Sequence, residues 1–582
     1  MRVKRQTGAA IHSSGAVAMI LAAALAVPAM AQTSGQSSGP SSSDAGDGQA
    51  GAGKKAARSA RGGGGTYVQP YIEAAQIVTK ELSPGDDLLT YSQLAAGVDA
   101  GINGARSAGS LSLRYERRFG WGKKAEDSDT ISGVARGYAV VAQGVQIDAG
   151  ALAARTRIEG TGAAVLGPIG NDDSVTQVYS VFAGPSISTH AGDVAVNAAY
   201  HVGYTRVESP DALQVAPGQP KSDVFDDSVS HMASVHAGVK PYDVLPVGLG
   251  VGATWRQEDV SNLDQRIRDV AVRADVTVPV GPDLALVGGV GYEDVEVSSR
   301  DALRDANGDP VIGRGGRYVT DKGSPRVIAY DTSGFIWDAG VIWRPSNRTM
   351  LEAHVGRRYG STTYYGTFAW APTARSSLNV SVYDNLTGFG GLMNRALDDL
   401  PSQFRAVRNP LSGDFAGCLE NLGNGEGQQA GTAGNCLPGV LGSVRSSVFR
   451  ARGIAASYSL SLGNLQTGIG AGYDRRRFIG ARGTVLEDSS GLVDKNTWLA
   501  AYLSGRIDQR SSFNTNVYAY WFQSGAGSSG DASALGATAA YNRYLTDRIS
   551  ATAALGIDGV NRDAPLEDSW IASALLGVRY SF

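Results

Sequence analysis

Two cysteines in 582 residues exclude a disulfide framework as the basis of the fold, and a four-thiolate metal centre with it. Charged residues make up 18%, below the ~25% of an ordinary soluble domain. Beyond the first 30 residues no run of 18 uncharged apolar side chains occurs, so no transmembrane helix is expected. None of the six histidines has metal-ligand spacing, and H-E-x-x-H, G-x-S-x-G and Walker patterns are missing. His354 with Ser361 or Ser377 is the one Ser–His pairing that can be drawn, and nothing singles it out. No catalytic residue, metal or cofactor is assigned, and the chain is not expected to be an enzyme.

What is present starts with an export signal. Arg2, Lys4 and Arg5 precede the apolar run Gly15 to Val27, and Ala29-Met30-Ala31 forms a small-x-small cleavage pattern. The run is shorter than the ~20 residues a membrane-spanning helix needs, which favours a cleaved signal (1–31) over an uncleaved anchor. The segment carries three of the 52 basic residues and none of the 55 acids, leaving 49 against 55, a balance that argues against a nucleic-acid partner. Residues 32–65 are Ser/Gly/Ala-rich and coreless, and read as a disordered periplasmic tether.

From residue 66 to the end, segments of ~10 to 16 residues alternate apolar with polar or small side chains. Leu284, Leu286, Val290 and Tyr292 interleave with Ala285, Gly289 and Glu293; Ile549, Ala551, Leu555 and Ile557 interleave with Ser550, Thr552 and Asp558. That period suits strands with one face in lipid and the other toward water or a crowded lumen. Tight turns such as Gly104-Ala105-Arg106 and Gly463-Asn464 alternate with longer connections, among them 160–171, 208–224, 300–328 and 388–444. The fold expected is all-β: one large antiparallel transmembrane β-barrel of about 22 strands (range 18–22), with short periplasmic turns and long extracellular loops. It must close, because lipid offers no partner to an open edge. In the final strand Phe582, Tyr580, Val578 and Leu576 share one face, with Leu575 an apolar exception on the other; this looks like the signal read by the barrel-assembly machinery.

Three groups of candidate functional residues follow. Inward parity selects Glu352, His354, Gln466, Asp474, Asn514, Asn516, Tyr518 and Tyr520 for the lumen, where Trp498, Tyr502, Tyr518 and Tyr520 either line a sugar path or block it. Arg357, Arg358, Arg450, Arg452, Arg475, Arg476 and Arg477 gather near the outer rim, either as an anion-attracting mouth or as partners of lipid phosphates and local acids. The 388–444 connection carries Leu392, Met393, Ala396, Leu397, Leu400, Phe404 and Val407 at helical spacing, so an amphipathic helix is expected to fold over or into the barrel and constrict it. Cys418 and Cys436 lie in the same connection and are expected to form a disulfide in an oxidising compartment.

The stretch Gly356-Arg-Arg-Tyr-Gly-Ser-Thr-Thr-Tyr-Tyr-Gly to Asp384, with Tyr71-Ile-Glu and Tyr91 to Asp99, resembles the outer-membrane β-barrel porin type 2 proteins associated with PEP-CTERM/exopolysaccharide loci. Gly356, Arg358, Tyr359, Gly360 and Tyr364 fit the first half of the family's pattern, and Arg375, Ser377, Leu378 and Ser381 the second; Tyr383 arrives one position late. The resemblance implies an exported barrel linked to surface polysaccharide. The expected function is an outer-membrane channel for hydrophilic solutes or polysaccharide, with outer-membrane lipid as its surroundings. The alternative is an occluded barrel that binds a partner through its loops.

Overall fold

The computed structural model describes residues 65–582 apart from 123–124, 126, 159–163, 167–174, 209–212, 215–220, 224, 314–316, 374, 422–436, 527–530 and 564–566. The expected signal peptide and nearly all of the tether lie outside the described residues. So does Cys436.

Twenty-two antiparallel strands form a closed ring. Each pairs with its chain neighbours, and the first, Gly65–Ser83, pairs with the last, Ser569–Ser581, from Tyr71 opposite Ser581 to Ser83 opposite Trp570. The first strand pairs with Leu88–Asn103 from Gly65 to Lys80 and extends to Ser83 through its pairing with the last strand. No described helix is long and apolar enough to cross a membrane.

The period-two alternation decides which way side chains point. Leu286, Val290, Tyr292, Leu555, Leu576 and Val578 are exposed on the outer wall, while Glu293, Asp338, Asp474 and Asp558 are buried on the inner one. Leu555 lies mid-strand in the apolar belt and is 66% exposed. Leu555→Arg is expected to cost about 2–4 kcal/mol in urea refolding into lipid vesicles. Gln466→Arg, on the lumen face, should leave that stability unchanged.

One end of the ring carries tight turns such as 143–144, 192–193 and 463–464, together with both chain ends of the barrel. The other carries the longer connections, led by 300–326 and 388–448. Four connections break the pattern, two of them, 84–87 and 261–264, with only four residues each at the long-loop end. Residues 240–247 make a longer loop at the short-turn end, and Tyr359-Gly360, both at positive φ (54° and 66°), close a two-residue turn at the long-loop end. That turn tops a low hairpin, Thr349–Arg358 and Ser361–Thr373. Above Gly366, which faces Val382, the strand Ser361–Thr373 no longer pairs with Ser376–Thr387. Side chains bridge this seam instead: Arg450 Nη1 donates to Ser361 Oγ (2.6 Å) and Arg452 Nη2 to the Thr362 carbonyl (2.7 Å).

Candidate functional site: a lumen filled by loop 388–448

A ring of 22 strands is too wide for its own inward side chains to fill. Here the described residues of the loop, 388–421 and 437–448, occupy much of the space. Its helix, Phe389–Asp398, starts at Gly388, which has no side chain to cap the free N–H groups of the first turn. The barrel wall supplies the cap. Glu258, on the strand Gly248–Val260, accepts hydrogen bonds from the N–H of Gly388 (2.8 Å) and Gly391 (2.9 Å), and its negative charge sits at the positive end of the helix dipole. Glu258→Ala should cost about 1–2 kcal/mol of loop docking. Faster hydrogen exchange in 388–398, with the strand amides unchanged, would register it.

The helix is shorter than its apolar spacing predicts. It ends at Asp398, ahead of Leu400-Pro401, because a residue before proline is driven out of the helical region. Leu400 therefore lies beyond the helix, and Phe404 opens a short strand, Phe404–Arg408, paired with Phe415–Asn421. Leu392, Leu397, Leu400 and Phe404 are nevertheless all buried. Phe389, Met393, Leu397 and Phe404 share one cluster with Leu152, Val178, Phe182 and Val207 of the wall. Each such side chain contributes about 1.5–3 kcal/mol.

Polar contacts fasten the rest of the loop around the inner wall. Arg155 holds Asp414 (2.8–2.9 Å), with both side chains almost fully buried. Asn394 accepts from Ser180 and donates to Ser230 (both 2.9 Å). Arg136 reaches Asp148 and Asp398, and Arg408 reaches Ser112 and Ser132. Gly413, at φ 68°, lets the backbone pass so close to Arg114 that a Cβ would lie 2.3 Å from its Nε. Leu411 packs against Ile77, Tyr91 and Leu575. Leu575, the apolar exception of the last strand, points inward because the loop is there to receive it.

The inward set falls on the lumen face. Glu352 and His354 join a wall cluster: His354 Nδ1 lies 3.0 Å from Asp338 and Nε2 3.1 Å from Glu352, and its ring stacks on Tyr365 at 4.7 Å. Arg273 completes the cluster with a two-point contact to Asp338 (2.7 and 2.8 Å). Gln466 shares the face of buried Asp474, and Asn514 accepts from Asn542 (3.3 Å). Asn516 donates to the loop carbonyl of Arg408 (3.2 Å). Tyr520 and Trp498 pack on Cys418, with Tyr518 beside them, so these aromatics meet the loop. Cys418 is disulfide-bonded. A cavity of about 910 Å³ remains along the wall, lined by Gln146, Asn197, His236, Arg273, Asp338 and Tyr365 among others. Among the described residues no group of three or more His, Cys, Asp or Glu side chains is placed to hold a metal ion.

Of the seven arginines, expected either as an anion-attracting mouth or as partners of lipid phosphates and local acids, four are paired with acids. Arg358 is paired to Asp269 and Glu293. Arg476 is buried against Asp474 and the Val440 and Ser443 carbonyls, and so anchors the loop. Arg450 and Arg452 both clasp Asp384. Arg357, Arg475 and Arg477 share the faces of exposed Val355 and Tyr473 and point outward. Strand parity forces this split, since adjacent arginines in a strand cannot face the same way.

Glu258, Arg155, Asp414, Arg136 and Asn394 escaped the sequence reading. Their signal was there in part: Arg114, Glu116 and Arg118 share one strand face, as do Arg155 and Arg157, and inward charges in such numbers call for partners.

No family model matches the chain, and no curated protein matches it in sequence. Solved structures similar to it include the FrpB iron transporter from Neisseria meningitidis (10% identity, 88% of this chain and 82% of that one, TM-score 0.41). The ferric-catecholate import receptor Fiu from E. coli K12 follows at 10% identity, 88% and 81% coverage and TM-score 0.39. The siderophore receptor PirA from Pseudomonas aeruginosa stands at 8%, 88% and 80%, and 0.35.

Proposed function

We propose that the chain is an outer-membrane channel for hydrophilic solutes that its own loop holds closed, with the short-turn end in the periplasm. The observation that carries this reading is the loop 388–448, which enters the lumen from the long-loop end and is fastened there by hydrogen bonds and ion pairs to a polar wall. A wall built only to pack would be apolar. This one carries Arg273, Asp338, Glu352, His354 and Asn516, groups that stay satisfied in water when a loop leaves. The exposed apolar belt supports a membrane setting. A surface polysaccharide as the cargo is the finer reading, supported by the resemblance in Gly356 to Asp384. There the late Tyr383 turns to the lumen side, where its hydroxyl donates to Asp474 (2.8 Å).

The test is planar-bilayer recording of the refolded chain, residues 32–582. Small or rare steps at rest, growing when the loop is released, are expected. Silence from both the intact protein and a loop-deleted one, each shown to be folded, would transfer the assignment to an occluded barrel that binds partners at the surface.

A further inference from the structure

The outward arginines form a patch with a defined register. Arg452, Arg475 and Lys495 stand directly opposite one another on the neighbouring strands Phe449–Leu462, Leu465–Phe478 and Val493–Arg506. Arg450 and Arg477 form a second opposed pair one pleat further toward the long-loop end. Neighbouring strands lie ~4.8 Å apart, so the first row spans roughly 10 Å. Like charges placed directly opposite destabilise a sheet. Asp384 offsets Arg450 and Arg452, but among the described residues no carboxylate lies within ion-pair distance of Arg475, Arg477 or Lys495. Arg475, Arg477 and Lys495 are exposed.

The next row down the wall is apolar and aromatic. Ile454, Tyr473, Thr497 and Trp521 sit below the cations in the same register, with Ile454, Tyr473 and Trp521 40–49% exposed. A cationic row directly above an aromatic and aliphatic one matches a molecule with anionic groups at the membrane surface and acyl chains beneath. Guanidinium forks suit phosphate oxygens.

We propose that this face binds the phosphate groups of an acylated glycolipid in the outer leaflet. Arg475, Arg477 and Lys495 hold the phosphates, Arg452 flanks them, and Tyr473 and Trp521 lie against the lipid's upper acyl region.

The test is a titration of the refolded barrel in detergent with a diphosphorylated acyl-glucosamine disaccharide, its dephosphorylated counterpart and inorganic phosphate, read by native mass spectrometry. The phosphorylated lipid is expected to bind at least tenfold more tightly than the dephosphorylated one, with millimolar phosphate failing to displace it. Arg475→Gln/Arg477→Gln/Lys495→Gln should lose that tenfold preference, and Arg543→Gln, at the short-turn end, should keep it. Equal binding of the two lipids to the wild-type barrel would overturn the proposal without recourse to any variant. So would displacement by free phosphate, or an undiminished preference in a triple variant that still folds.

Discussion

Removing residues 391–440 from the refolded barrel should raise single-channel conductance several-fold and turn brief steps into stable, ohmic ones. The expectation rests on where the loop's apolar side chains go. Phe389, Met393, Leu397, Phe404, Phe415 and Leu419 are all buried in one cluster with the inner wall, on strands that include Val145–Ile158, Val175–Ala191 and Val194–Glu208. The same loop reaches the opposite side through Leu411 to Leu575, the Arg408 carbonyl to Asn516 (3.2 Å) and Arg445 to Asp494 (2.9 Å). A segment that touches the wall on both sides occludes the lumen rather than fringing it. The wall should survive the deletion, because backbone pairing between neighbouring strands closes the ring without any contribution from the loop. The exposed apolar contacts left behind, such as Phe182 and Val178, are few beside the polar groups around them. Unchanged conductance in a folded deletion variant would mean that the cavity along the wall already sets the conductance.

The fold was legible because it repeats. A single alternating segment fits many structures, but 22 of them joined by alternately short and long connections fit a barrel. Tyr383 shows how far parity reaches: one inserted position moves the ring from the lipid face to the lumen, where it meets Asp474. The site was legible only in part. Sequence spacing marked the loop's apolar stripe, and the structure buries every member of the core set Leu392, Leu397, Leu400 and Phe404. It could not say which wall would receive them, because the partners lie 130 to more than 300 residues away in the chain: Glu258 to Gly388, Ile77 to Leu411. The division of the basic cluster was hidden for a different reason. Proximity along the chain suggested one patch, while the pleat divides Arg475, Arg476 and Arg477 between the two faces of a single strand.

Asp414→Ala should release the loop more strongly than any other single substitution on it. Asp414 and Arg155 are 1% and 4% exposed at their side chains, and their ion pair links the loop to the strand Val145–Ile158. Pairing such groups gains little over apolar replacements of equal size, since both must be stripped of water. Removing one partner is another matter, because Arg155 then loses the carboxylate that offsets its charge in a site shaped to exclude solvent, at a cost of about 3–5 kcal/mol. The barrel can escape that cost by undocking the loop and letting water reach the guanidinium. At about 1.4 kcal/mol per tenfold, the open fraction should then rise by about a hundred- to several-thousandfold. Two measurements check this: protease nicking within 388–448 and the frequency of large conductance events, both of which should rise together. The barrel's own unfolding midpoint should stay within a few degrees, since the ring's backbone pairing is untouched. Arg155→Met with Asp414→Leu, which removes both charges and refills the space, should return the loop to its closed state. If the double variant stays open as often as Asp414→Ala, the ion pair itself holds the loop; a return to closure assigns the effect of the single substitution to the imbalance of charge left at Arg155.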